Sequence, residues 1–269
     1  AAFDVATGDF TGQTFDFNAQ VKALLALPDG RLLVGGDFTR VNGEPHVGTV
    51  VINPATGQID PSWDLQITNA LRGGAVSVRA LTYYDGNVYM GGAFTHLSGG
   101  GSSRVYARNA GRVSLSGRPD RSWNPEISGS VQAVGVSEAN SAFYAGGHFT
   151  TAHGNQRAWY AAKFSTQPGA AVDTGFNFEP SSATAGKYQQ TISTTGNRVY
   201  IGGSEHSLFG YDAASNQRLS GAMMFSNGGD LQASTVSAKG VIYGSCHCSD
   251  ATYQDMYVWS MNGSWSRVD

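Results

Sequence analysis

Charge is scarce in this chain. Asp, Glu, Lys and Arg together make 14% of its 269 residues, and the formal net charge is −3. Its 13 arginines and 4 lysines form no basic run or stripe, so nothing is placed to follow a phosphate backbone, and a nucleic-acid partner is excluded. No run of 18 apolar residues occurs, so no membrane-spanning helix is expected. A signal peptide is missing too. Because the first residues match the middle of a repeat, a mature domain or an excised fragment is expected. No Gly-x-Ser-x-Gly elbow, His-Glu-x-x-His, P-loop or dinucleotide fingerprint occurs, and no cofactor is expected.

Glycine, in contrast, is abundant at 36 residues, about twice average usage. Much of it sits in one phrase: Gly35-Gly36-Asp37-Phe38-Thr39, Gly91-Gly92-Ala93-Phe94-Thr95 and Gly146-Gly147-His148-Phe149-Thr150. A degraded copy stands at Gly202-Gly203-Ser204-Glu205-His206 and a last trace at Gly244-Ser245-Cys246-His247-Cys248. The first glycines are 56, 55, 56 and 42 residues apart. Periods of this size are the signature of propellers and related repeat arrays.

Each copy opens with an alternating run (Val21 to Leu27, Val78 to Tyr83, Val131 to Val136, Tyr188 to Ser193, Leu231 to Ser237), then a turn and an apolar run into the glycines. Two short β-rich runs joined by such a turn read as a hairpin. A polar loop leads to a third strand, such as Gly48 to Ile52 or Ala158 to Phe164. A turn of the Asn53-to-Gly57 kind leads to a fourth with an aromatic: Trp63, Trp123, Phe176 or Phe225. Four antiparallel strands in that order form a propeller blade. The expectation is an all-β propeller of five blades, with six, one of them incomplete, as the alternative.

Ala1 to Gly8 match a third strand and its turn, and Thr14 to Phe17 a fourth. Residues 1–18 are therefore expected to complete the last blade, around Gly244, and close the ring, in competition with Met256 to Asp269. Residues 1–269 read as a single domain with successive repeats at 19–66, 76–126, 129–180, 186–228 and 230–269.

The phrase V-x-A-L-x-x-x-x-D-G-x-L-x-V-G-G-x-F-T, followed by N-P-x-T-G and D-x-S-[WF]-[DN], resembles the delta-60 repeat family of β-propellers. That family is common in secreted and surface proteins of actinobacteria and related bacteria. The match is close in the first three repeats and fades in the last two, which lack the Phe-Thr pair. The resemblance implies a propeller but no activity, since such propellers serve as modules in many larger proteins. With low charge, abundant small polar residues and two close cysteines, it points to an extracellular or cell-surface setting.

Cys246 and Cys248 lie at i and i+2. On one strand face their Cα atoms stand about 6.5 Å apart, the outer limit for a disulfide. A strained disulfide, two reduced thiols and a metal site with His247 remain open. A tetrahedral zinc site wants four ligands and no second Cys or His cluster lies nearby, so no metal is assigned.

Glycosidase chemistry needs paired carboxylates flanking the scissile bond. The runs Val21 to Pro28, Val78 to Tyr84, Val131 to Ser137 and Leu231 to Ala238 contain no acid. The recurring Asp16, Asp60, Asp64, Asp120 and Asp173 fall in step with the repeat, as turn-capping residues do. A non-enzymatic protein is expected. Binding residues are sought in the variable loops after the glycine phrase, which hold His46, His96, His153, Arg157, His206 and Tyr253, with Trp159 beyond them. Asp64, Asn124 and Asn177 lead toward the same face. Aromatics beside amide and imidazole groups suit a shallow glycan site. The expected partner is a glycan or cell-surface polysaccharide bound by a module of a larger secreted protein. The alternatives are a structural propeller contacting a protein or another domain, and a carbohydrate-active enzyme with atypical acids.

Overall fold

The fold, seen in a computed structural model, is described for residues 1–154, 156–178, 187–219, 223–224, 229–237, 241–246, 256–259 and 265–267. All five expected hairpins form: Val21–Ala26 with Leu32–Gly36, Ser77–Tyr84 with Asn87–Ala93, Val131–Ser137 with Ala142–Gly147, Gln189–Thr195 with Arg198–Gly203, and Leu231–Val236 with Ile242–Cys246. Each second strand pairs outward with a third: Thr49–Asn53, Ala110–Ser114, Ala161–Ser165, Ser207–Asp212 and Met256–Trp259. The result is a series of small antiparallel sheets whose first strands pack side by side in chain order.

The glycine pair has two physical duties. A methyl group on Gly35 would stand 2.9 Å from Val78 Cγ1 and 3.3 Å from Leu81 Cδ1, so the next unit's first strand packs directly on that backbone. The same contact joins Gly91 to Val131 and Val134, Gly146 to Gln189 and Ile192, and Gly202 to Leu231. The second glycine passes the residue at or just before the start of its own first strand. A methyl group on Gly92 would overlap the Ser77 carbonyl oxygen, and Gly36, Gly147 and Gly203 stand likewise against Gln20, Ser130 and Tyr188. The strand register corrects the last copy of the phrase: Ser245 and Cys246, rather than Gly244 and Ser245, occupy the glycine-pair positions, opposite Ala233 and Leu231.

The fourth strands are shorter than expected. Gln58–Ile59 forms a two-residue ladder in the first sheet, single bridges link Val113 to Pro119, Phe164 to Val172 and Tyr211 to Arg218, and Met223–Met224 adds a two-residue ladder with Ser207 and Leu208 in the fourth. Trp63, Trp123 and Phe176 lie past these strands, in the next turn, and Phe225 lies outside the described residues. All three turn aromatics are buried between units. Trp123 meets Tyr89 of the second unit and Phe143 of the third edge-on at 5.1 and 5.0 Å. Burying a ring of this size removes 150–250 Å² from water, the dominant stabilising term in such a core.

Three of the five repeated aspartates, Asp60, Asp120 and Asp173, cap turns as their periodicity implied, whereas Asp64 bonds the distant Gly100 N–H. Asp60 and Asp120 each accept the backbone N–H of Ser62 and Ser122 at 2.9 and 2.8 Å, and Asp173 that of Gly175 at 2.9 Å. Each also pairs with a cation: Arg31, Arg112 and Lys163.

Two expectations about edges change. The outer places of the fifth sheet are held by Met256–Trp259 and Trp265–Arg267, not by residues 1–18. A strand that follows in sequence closes a short loop, whereas residues 1–18 would have to return from the far end of the chain. Residues 1–18 instead lie against the first unit. Phe3 bridges Phe10, as Ile52 and Ile59 pair, and Phe17 bridges Val41, as Ile67 pairs with Leu97. They reproduce the outer half of a unit. Second, the variable loops carry short strands of their own. They fold into hairpins (Arg40–Val41 with Glu44–Pro45, His96–Gly99 with Ser102–Tyr106, Thr151–Ala152 with Gln156–Arg157), because their backbone polar groups need partners. In the second unit that hairpin also pairs with Gln66–Thr68 of the first.

Candidate functional site

The loop residues singled out from sequence are distributed over separate hairpins and are engaged locally. His46 is partly buried, with its N–H on the Thr39 carbonyl at 2.9 Å. His96 Nδ1 lies 2.9 Å from Thr95 Oγ1 and 3.1 Å from an Arg104 nitrogen, with the ring against Tyr106. Desolvation, and then the Arg104 charge, hold its imidazole below the usual range. His153 Nε2 meets the Ala170 carbonyl at 2.7 Å. Asp64 accepts the Gly100 N–H at 2.6 Å, and Asn124 the N–H groups of Arg108 and Glu126. Asn177 is exposed, in the turn beyond Phe176. Tyr253 lies outside the described residues. Arg157 and Trp159 do meet: the guanidinium carbon stands 3.8 Å from the ring centroid. Cys246 is disulfide-bonded, and Cys248, the chain's other cysteine, lies outside the described residues.

A different arrangement emerges at the ends of the inner strands. In every first strand one residue is extruded as a β-bulge: Lys22, Arg79, Gln132, Gln190 and Gln232. Bulges re-aim a side chain and concentrate near functional sites. All five bulged residues are polar. Neighbouring units meet there, since Arg79 Nη1 donates to Gln132 Oε1 at 3.1 Å.

Beside this row a cleft of 520 Å³ opens at the third unit, lined by Ser128, Gly129, His148, Phe149, Thr150, Tyr160 and Lys187. Its frame is rigid by construction. His148 N–H donates to the Ser130 carbonyl at 2.8 Å, and Ser128 Oγ accepts the N–H groups of Thr150 and Thr151 at 3.3 and 3.1 Å. The His148 ring packs 4.5 Å from Tyr188. Desolvation, with the Arg79 charge added to it, holds this imidazole below its usual range. Tyr188 donates its hydroxyl to Asp230. Burial and the adjoining carboxylate push its pKa up to about 12. Beneath lies a buried polar pair, Gln189 Nε2 to Glu205 Oε2 at 2.5 Å, with Lys187 Nζ 3.7 Å from Glu205 Oε1.

Tyr160 is the unusual member. Before the first four third strands one residue takes the left-handed conformation: Gly48 (φ 74), Asn109 (φ 61), Tyr160 (φ 60) and His206 (φ 55). The position is enforced in the first three units by the same two backbone bonds. In the third unit, Tyr160 N–H donates to Phe149 at 2.8 Å and Gly147 N–H to the Tyr160 carbonyl at 2.9 Å. Glycine or asparagine sits there at little cost, but a bulky side chain costs about 1–2 kcal/mol. Strain of this kind gathers at binding sites, where the surrounding structure over-determines it. The sequence signal is a tyrosine aligned with Gly48 and Asn109, beside the larger Trp159.

A family model for a domain of unknown function, the DUF5122 beta-propeller, matches residues 27–62. No curated protein matches the chain. Among solved structures, U3-55K aligns over 76% of this chain at 12% identity with a TM-score of 0.51, and the chain spans 54% of its length. A chain of the mitotic checkpoint complex aligns over 99% of this chain and 69% of its own, at 13% identity and a TM-score of 0.56. Identities this low speak for fold alone. An all-β chain of small antiparallel sheets whose first unit matches a β-propeller model supports a β-propeller family.

Proposed function

We propose that this chain is a non-enzymatic recognition module of a larger secreted or cell-surface protein, and that it binds a glycan through the cleft at the third unit. The observation that carries the reading is Tyr160: a strained aromatic held on the wall of a cleft that also presents imidazole, hydroxyl and ammonium groups. A sugar ring offers an apolar face for stacking and hydroxyls for those partners. His153, Arg157 and Trp159 belong to the same unit and border the site rather than form it. The resemblance to delta-60 repeats of bacterial secreted proteins supports the extracellular setting. Of the two blade counts, five or six with one incomplete, the half-unit formed by residues 1–18 supports the second.

A glycan array probed with the wild type and a Tyr160→Gly variant tests the reading. Glycine keeps the left-handed backbone and removes the ring. Binding by the wild type that the variant loses at least tenfold is expected. Silence of the folded wild type across the array overturns the glycan reading.

A second reading has its own observation. Val21 and Leu24, the counterparts of the packed Val78 and Leu81, are 40% and 65% exposed. They border an apolar groove of 280 Å³ shared with Phe15, Phe17, Leu32 and Val34. This face supports a protein-interaction role, and pull-down with the purified chain, comparing the wild type with Leu24→Glu, tests it.

A further inference from the structure

We propose that the cleft at the third unit takes an acidic sugar, one whose ring carries a carboxylate, and that Arg79 and Arg108 supply the positive field that selects it. This rests on the glycan reading above and names its ligand class.

Most of the buried and partly buried cations among the described residues have a counter-charge. Lys22, Arg31, Arg112, Lys163 and Lys187 each stand within ion-pair distance of a carboxylate. Arg79 and Arg108 do not: among the described residues neither has a carboxylate partner, and the Nε of each is buried without a hydrogen bond. Their remaining contacts are to neutral oxygens, Gln132 Oε1 at 3.1 Å and the Ser128 carbonyl at 3.2 Å. An incompletely hydrogen-bonded guanidinium with no counter-charge is costly to hold in a half-buried place. In a chain of net charge −3 this is not a general excess of base.

Both groups adjoin the cleft. Ser128 is a wall residue and its carbonyl receives Arg108, while Arg79 is linked through Gln132 and Ser130 to His148, a second wall residue, whose ring feels the Arg79 charge. Glu205 is engaged with Gln189 and Lys187, and Asp230 with Tyr188. What the cleft lacks is an anion. A uronic acid unites the two features required, a pyranose face for Tyr160 and a carboxylate on the ring edge for the guanidinium field. Arginine recognises that group better than a hydroxyl because charge-assisted hydrogen bonds are roughly twice as strong as neutral ones.

The test uses matched pairs: oligogalacturonate, alginate and hyaluronan oligosaccharides, each beside its methyl ester, titrated by calorimetry against the full chain. The variants are Arg79→Gln, Arg79→Lys, Arg108→Gln and, as a control on an exposed loop, Arg72→Gln. The expected result is at least tenfold tighter binding of one acid than its ester. That preference is reduced by Arg79→Gln and Arg108→Gln, retained by Arg79→Lys and Arg72→Gln, and eroded by salt. Equal binding of acid and ester overturns the inference while leaving the glycan reading intact. So does an acid preference that both glutamine variants preserve, or binding confined to neutral or sulfated glycans on the array. If neither the pairs nor the array bind, both readings fall together.

Discussion

Tyr160 offers a test of the strain reasoning that is independent of any ligand. The wild-type residue sits at φ 60, a conformation fixed by its bonds to Phe149 and Gly147. Alanine there would keep the left-handed penalty of about 1–2 kcal/mol and lose the ring's packing. Glycine would lose the same packing but no penalty, against an unfolded-state entropy cost of about 0.4–1 kcal/mol. Tyr160→Gly should therefore be more stable than Tyr160→Ala by roughly 0.8 kcal/mol, the difference between the midpoints of the two effects. This reverses the usual order, in which glycine is the poorer residue inside regular structure. Tyr160→Asn should fall near glycine, since asparagine tolerates this region and already occupies it at Asn109. Urea unfolding followed by tryptophan fluorescence, with all variants sharing one m-value, reads the differences as shifts in midpoint. An alanine variant as stable as glycine would refute the claim that strain is stored at this residue.

Gly92→Ala should be among the most damaging single-methyl changes, costing about 3 kcal/mol or more because the new carbon meets the Ser77 carbonyl oxygen rather than a movable side chain. Gly86→Ala, with φ 76 and open space around it, should cost only about 1–2 kcal/mol, and thermal melts of the pair give the comparison. Trp123→Ala should cost about 3–5 kcal/mol through the cavity left between the second and third units, seen as a lowered denaturation midpoint. Burial pushes the Asp120 carboxyl up, but bonds from Ser122 and Arg112 outweigh it and hold the group below the usual carboxylate value. Its contribution is therefore complete above pH about 4 and lost as pH falls through the depressed folded value. Asp120→Asn should cost about 2–3 kcal/mol at pH 7, and the gap from wild type should narrow toward pH 3. A gap independent of pH would exclude the ion pair as its source.

The repeat was legible in the sequence because hairpins are local objects. An alternating run, a turn and a second apolar run specify a pair of strands whatever surrounds them, and all five appeared where the pattern put them. The turn aspartates were legible for the same reason: their partners lie two residues away. The inter-unit role of Trp63 and Trp123 followed from their recurrence. The course of the variable loops was not legible. Whether His96 to Arg104 splays outward or pairs with Gln66–Thr68 depends on a neighbouring unit, which a single repeat does not contain.

The cleft belonged to tertiary structure for a deeper reason. Its walls come from Ser128, His148, Tyr160 and Lys187, which no local pattern links. The absence of a carboxylate beside Arg79 and Arg108 is a property of three-dimensional surroundings. Sequence alone determined that the chain repeats a β unit and where each hairpin turns, since those depend on neighbours a few residues apart. Which polar groups converge, which cations go unpaired and which tyrosine is held under strain were decided only when successive units packed, because those facts depend on contacts tens of residues apart.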